Sequence, residues 1–288
     1  MINTFWIQVQ KKFQVCHDKI NYVLCFEKDQ NLEIIPIHLD RESSEFDVYE
    51  KISNNKEKIN IEDNDVLVIS SKYLSISEGR IKKLTGIKPS SQALQASKLY
   101  HIDPKIMELI LRESDEIFGG LYGFVLTSVH KVLAPNAGID KSNVPNGSVV
   151  LYPKYPYHSI KILKQKFLIN SWKRVGIVLS DSRILPMRKG TVGIALACCG
   201  FEPVIDLKGT LDLFGNVLKY TSQNLADCLA SIGTMIMGES DASTPVIIIR
   251  GLNIKMSDKT VSSDTLSMDS KFDIYVRGLS KRIAPSYI

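Results

Sequence analysis

RVGIVLSD (174–181) runs through five apolar or small residues, Val175 to Leu179, and then turns polar. A stretch that is apolar at every position, yet too short for a helix, fits a strand covered on both faces. DNDVLVISS (63–71) and PVIIIRG (245–251) read the same way. LEIIPI (32–37) and SVVLYP (148–153) add short strands, and GFVLTSVHKVLAPNAGID (123–140) starts strand-like and opens into a loop. Helical spacing marks FDVYEKIS (46–53), DPKIMELILRESDEIF (103–118), the stretch from Pro156 to Leu168, and SQNLADCLASIGTMIMGES (222–240). Asp103 and Pro104 start the second of these, and Gly238 stops the last. Apolar strands alternating with helices predict a mixed α/β (α+β) architecture in which helices cover the sheet.

The chain has 288 residues, 44% hydrophobic and 23% charged, enough for a substantial core without disulfides. Its net charge of +5 is scattered rather than blocked, which argues against a nucleic-acid protein and suits substrates rich in phosphate or carboxylate. Cys16, Cys25, Cys198, Cys199 and Cys228 form no C-x-x-C pair, so neither a disulfide frame nor a zinc site is expected. The five histidines are dispersed, and no G-x-S-x-G elbow occurs, which speaks against zinc and serine hydrolases. No apolar run approaches a membrane span, and charges come too early for a secretory leader, so a cytoplasmic location is expected. Residues 1–31 read as an extension, 32–252 as the domain, and 253–288 as a Ser/Asp/Lys-rich, partly mobile segment from which FDIYVRGL (272–279) docks back.

Two aspartate-bearing segments carry chemistry. APNAGIDKSNVPNGS (134–148) is dense in turn residues; Asp140 and Asn143 within it either serve those turns or face a cation and a nucleotide. SDSR (180–183) follows an apolar strand, where α/β sheets gather ligands. Asp181 there is a metal ligand or a helix cap, and Ser180 or Ser182 could add a hydroxyl. Arg183, Arg188 and Lys208 are candidates for holding phosphate or carboxylate. ISSKYLSISEGR (69–80) places Ser70, Ser71 and Lys72 after another strand, as a phosphate cradle or simply a polar strand end. Gly190, Gly193 and Gly200 match no P-loop and are expected to serve turns and close packing.

Four segments in order resemble the coenzyme F420-0:gamma-glutamyl ligase family. DVLVISSK…SEGR (65–80) is similar to a strand followed by S-K…S-x-A-E-G-R. NAGIDKSNVPNG (136–147) is similar to N-A-G-V-D-x-S-N-V-P-x-G, VGIVLSDS (175–182) to V-G-V-I-x-S-D-T, and residues 190–215 to the glycine-rich run that follows. The resemblance implies an F420 ligase-like fold in an intertwined homodimer. It also implies GTP- and Mg²⁺- or Mn²⁺-dependent joining of L-glutamate to F420-0 through an acyl phosphate. By the same resemblance Asp140 and Asp181 are catalytic metal ligands, joined by Ser182 where the family has a Thr, and Asn143 contacts the nucleotide. Gly238 and Glu239 fall at the family's C-terminal nucleotide and metal segment, where a Gln is usual. Three departures stand out. A nucleotide-contacting lysine is replaced by Ile76, a G-L-P segment by HLDRES (38–43), and the loop S-D-T-F-G-R-P-W-R by SDSRILPMR (180–188). A related ligase with another acid or amine, or a non-catalytic nucleotide or cofactor carrier on the same fold, are the alternatives.

Overall fold

The computed structural model describes residues 32–280; the extension read at 1–31 and the last eight residues lie outside them. In chain order the elements are β1 (Glu33–Ile37), α1 (Val48–Ser53), β2 (Val66–Ser70), α2 (Ser71–Ser77), β3 (Ile81–Lys83), α3 (Ser91–Tyr100) and α4 (Pro104–Glu113). Then come β4 (Glu116–Leu121), β5 (Phe124–Val129), β6 (Val132–Pro135), β7 (Ser148–Val150), α5 (Pro156–Ser171), β8 (Gly176–Ile184) and β9 (Thr191–Cys199). The chain continues through β10 (Val204–Asp206), β11 (Ser222–Asn224), α6 (Leu225–Met237), β12 (Val246–Arg250), α7 (Ser263–Leu266) and α8 (Ile274–Ser280).

The three all-apolar strands lie side by side in a five-stranded sheet of order β1-β12-β2-β8-β9. Strand periodicity explains why every position had to be apolar. Leu67, Ile69, Ile177, Leu179, Val246 and Ile248 point into one core with Ile160, Leu163 and Phe167 of α5. Val66, Val68, Val178, Ile247 and Ile249 point the other way, onto Leu225, Ala226, Leu229 and Ala230 of α6. The result is a mixed α/β structure of helix, sheet and helix layers.

β2 and β8 are parallel neighbours, with Ser70 opposite Ser180. β12 runs antiparallel to β2, and Ser70 N–H donates to the carbonyl of Pro245 just before β12 begins. Three chain segments therefore converge at one end of the sheet. Helix α6 lies close against the sheet because glycine permits it. A Cβ at Gly193 of β9 would fall 2.3 Å from the Ala230 carbonyl oxygen, and one at Gly233 would fall 2.4 Å from Val68. This close packing carries the C-terminal end of α6 to the same end of the sheet.

Several boundaries differ from those expected. SDSR is not a loop after a strand: β8 continues through it to Ile184, pairing antiparallel with β9 across a register shift at Leu179/Ser180. No strong turn residue interrupts it before Pro186, and β9 supplies a partner edge. SKYLSIS (71–77) is a helix rather than a serine-rich loop, because Tyr73, Leu74 and Ile76 bury on it. The 103–118 segment ends its helix at Glu113 and turns into β4, which pairs with β5. Residues 252–266, beyond the sheet, place Leu252, Ile254, Met256, Val261 and Leu266 on the α6-side core.

Candidate active site

At the convergence of β2, β8 and the approach to β12 lies a cavity of about 550 Å³. Ser70, Ser71, Lys72, Asp140, Asn143, Asp181, Ser182, Gly238 and Glu239 all line it. The structure thus brings together every candidate named in the catalytic, nucleotide and metal sets. Arg183 lines it as well, whereas Arg188 lies exposed in the β8–β9 turn and Lys208 pairs with Asp206 on the β10–β11 arm.

Strand alternation sorts the β8 side chains. Ser180 faces α6, hydrogen-bonding the Ala230 carbonyl at 3.1 Å and Thr234 Oγ1 at 2.7 Å. Ser182, two residues on, donates to Glu239 Oε1 at 2.8 Å, which also accepts from Thr191 at 2.8 Å. Asp181 and Arg183 point to the opposite face. Asp181 Oδ1 accepts from Ser71 Oγ at 2.9 Å, and Oδ2 accepts from Tyr152 OH and from Arg183 Nε at 3.1 Å. Arg183 also donates through Nη2 to Tyr152 OH at 2.6 Å. Arg183, a candidate for holding phosphate or carboxylate, thus lies in β8 and not in a loop; it is 3% exposed and packed behind Asp181. Burial, and after it the charge of Asp181, holds the Tyr152 phenol well above its ordinary pKa, so it stays a donor.

The Asp140 segment is shaped by an unusual turn. Asn136, Ala137 and Gly138 all have positive φ, and side-chain bonds hold them there: Asn136 Oδ1 accepts from Val125 N–H at 2.9 Å, and Ala137 N–H donates to Thr127 Oγ1 at 3.1 Å. Gly138 is required for a second reason, because a Cβ there would lie 2.0 Å from the Tyr152 ring. The chain then bridges to Val150 through both backbone groups of Asp140. Asp140 ion-pairs with Lys72 and accepts from Ser142 N–H at 2.7 Å and Ser142 Oγ at 2.8 Å. Burial pushes its pKa upward, but Lys72 and Ser142 outweigh that and keep the carboxyl below its usual range. Asn143, with φ of 55°, donates to the Ser240 carbonyl at 3.1 Å and so ties this segment to the one after α6.

Tyr152 was not singled out in the sequence. It joins the two aspartate segments, with its ring against Gly138 and its hydroxyl on Asp181. Arg80 donates to its carbonyl at 2.8 Å while ion-paired to Glu113, and Glu78 accepts from Ser159 at 2.6 Å. The SEGR stretch thus fixes the chain that carries Tyr152. Only its match to a family motif marked it in advance.

Among the described residues no three His, Cys, Asp or Glu side chains cluster closely enough to form a metal site by themselves. The oxygens present still fit a hard divalent cation. Asp140 Oδ1 and Asp181 Oδ1 each accept one hydrogen bond, and Glu239 is held through Oε1 alone. Each carboxylate keeps acceptor capacity. With so few protein ligands, the ion would complete its shell from phosphate oxygens and water, as Mg²⁺ commonly does. Six carboxylates and three cations line the cavity, a surplus of negative charge that would repel a polyphosphate without such an ion.

Comparison with known proteins identifies the family. A family model described as F420-0:gamma-glutamyl ligase matches residues 39–251, most of the chain and every cavity residue discussed here. The chain belongs to the F420-0:gamma-glutamyl ligase family. A coenzyme F420:L-glutamate ligase of Methanocaldococcus jannaschii is 40% identical over 195 residues, 67% of this chain and 78% of that protein. The same-named protein of Methanopyrus kandleri is 35% identical over 223 residues, 77% of this chain and 87% of its own. That of Archaeoglobus fulgidus is 33% identical over 208 residues, 72% and 82% respectively. Among the described residues no helix is long and apolar enough to cross a membrane.

Proposed function

We propose that this family member ligates L-glutamate to coenzyme F420-0, using GTP and a divalent metal. Joining a carboxylate to an amine at neutral pH needs an activated acid. A carboxylate oxygen of F420-0 attacks the γ-phosphorus of GTP, the bond to GDP breaks, and an acyl phosphate forms. The glutamate nitrogen then attacks the acyl carbon and loses its proton as inorganic phosphate leaves.

The observation that carries this reading is the convergence of Asp140, Asp181, Ser182 and Glu239 on one cavity, in a chain matched to the ligase family over 39–251. Magnesium or manganese bound there would neutralise phosphate charge during the phosphoryl transfer. Asp140 and Asp181 would hold that ion, and Ser182 and Glu239 are further oxygen donors on the same cavity. Ser70, Ser71 and Lys72 would form the phosphate cradle at the start of α2, beside Asn143 and Gly238, with the Lys72 ammonium, paired to Asp140 here, supplying positive charge for the phosphates. The test is incubation with Mn²⁺, F420-0, glutamate and either GTP or ATP, followed by mass spectrometry of the F420 species. Glutamylated product with GTP supports the reading; hydrolysis only with another acid or amine favours the related ligase, and tight binding without turnover the carrier.

We read the working form as a homodimer in the cytoplasm. The arm between β10 and β11 holds Leu213, Phe214 and Tyr220 more than nine-tenths exposed, an apolar surface that a second chain would cover. Light scattering should return twice the 32.3 kDa chain mass; a single-chain mass at micromolar concentration contradicts it.

A further inference from the structure

Arg183 is more deeply buried than the other cations that line the cavity. Its side chain is 4% exposed, while Lys72 is held by Asp140 and Arg41 is exposed on the rim. Two of its three nitrogens are taken: Nε by Asp181 at 3.1 Å and Nη2 by Tyr152 OH at 2.6 Å. The third, Nη1, is buried and has no hydrogen-bond partner among the described residues. A buried, charged donor without an acceptor is costly, and native structures keep few of them without a functional reason. The guanidinium is planar, so fixing Nε and Nη2 also fixes the direction of Nη1. Its ring-facing contact is set as well, with Cζ 5.6 Å from the centroid of Tyr152.

The structure assigns Arg183 as an oxyanion-binding residue whose unpartnered Nη1 receives the terminal phosphate of the nucleoside triphosphate. This rests on the nucleotide-dependent reading of the site proposed above. The terminal phosphate is favoured over a substrate carboxylate because Arg183 is tied to Asp181, the side chain beside which the transferred phosphoryl group must lie in that reading. Tyr152 is then a positioning residue, holding the guanidinium from one side while Asp181 holds it from the other.

The test compares wild type, Arg183→Lys and Arg183→Met by calorimetric titration with GTP and with GDP, each in the presence of Mn²⁺. Arg183→Lys keeps a cation beside Asp181 but loses the fork, so it supplies the measurement even if Arg183→Met fails to fold. Arg183→Lys should bind GTP about tenfold more weakly while GDP affinity stays within about twofold. A purely structural role would weaken both nucleotides together. Equal losses for GTP and GDP overturn the assignment, as does an unchanged GTP affinity. A rise of about tenfold in KM for glutamate or F420-0 with nucleotide affinities intact also overturns it, by giving the oxyanion to a carboxylate. Wild-type protein that binds no GTP at all would remove the proposed function as well; wild-type binding with an indifferent Arg183→Lys removes only this inference.

Discussion

Gly138 shows how one missing Cβ can hold a site together. Its φ of 67° and the Tyr152 ring 2.0 Å from any Cβ leave no room for a side chain. Gly138→Ala should destabilise the fold by about 2–3 kcal/mol, seen as a lower urea midpoint. It should also depress turnover, because displacing Tyr152 takes a donor from Asp181; an unchanged midpoint and rate would contradict this. Asp181 calls for a gentler substitution. Asp181→Ala strands a buried arginine, at a cost of about 3–5 kcal/mol, and would confuse folding with chemistry. Asp181→Asn keeps the shape and removes the charge, and should give a folded protein with at least a hundredfold lower turnover, on the order of one lost transition-state contact. A folded Asp181→Asn of wild-type rate would contradict the site. At this scale the sequence was partly legible. The residue types at 140 and 181 allowed either turn and cap roles or hard-oxygen ligation, and only the family wording pointed to the second. Tyr152 and the true environment of Arg183 were hidden, because both depend on contacts between residues some thirty positions apart.

At the scale of elements, the all-apolar strands were readable because both faces had to be covered, and Val66–Ser70, Gly176–Leu179 and Val246–Arg250 are indeed central. The extension of β8 through Asp181 was not readable, since polar residues in a strand look like a loop until a partner strand is known. Helix α3 was missed for a similar reason: SQALQASKLY has a weak apolar face and is anchored by its cap. There Glu108 of α4 accepts from Ser90 Oγ at 2.6 Å, Ser90 N–H at 2.8 Å and Arg112 Nε at 2.8 Å. Those donors, Ser90 first, pull its pKa down to about 2. A folded pKa below the unfolded one means that the stabilisation is complete above about pH 4.3 and is lost as pH falls toward 2. Glu108→Gln should therefore flatten the stability profile between those values, measured by urea denaturation; an unchanged slope would show that the link does not operate. Gly193→Ala is the matching test of α6. The Ala230 carbonyl cannot yield to a Cβ at 2.3 Å, so the helix must lift, at about 1–3 kcal/mol, carrying Thr234 and Glu239 away from β8.

For the molecule as a whole, the parallel pairing of β2 and β8 is the decisive feature. It sets Ser70 beside Ser180 and so places the α2 cradle and Asp181 at one end of the sheet, where the turn after α6 and the 136–143 segment close over them. Nothing in a single sequence states which strands are neighbours, so the sequence could name the site residues by family wording but could not show that they meet. The departures from that wording, Ile76, HLDRES and SDSRILPMR, all touch the cavity or its rim, through Ile76, Arg41 and Arg183 among others. The chain thus keeps the family's match over residues 39–251, while its departures from the family wording fall on this cavity. The central claim is that this cavity still serves glutamate ligation on F420-0. Its most direct test is one reaction: purified protein with GTP, Mn²⁺, F420-0 and L-glutamate, read by mass spectrometry. The account predicts F420 species heavier by glutamate units, with one GDP and one phosphate released per bond formed. Stoichiometric F420-0 recovered unchanged, while the same sample binds GTP, would contradict it.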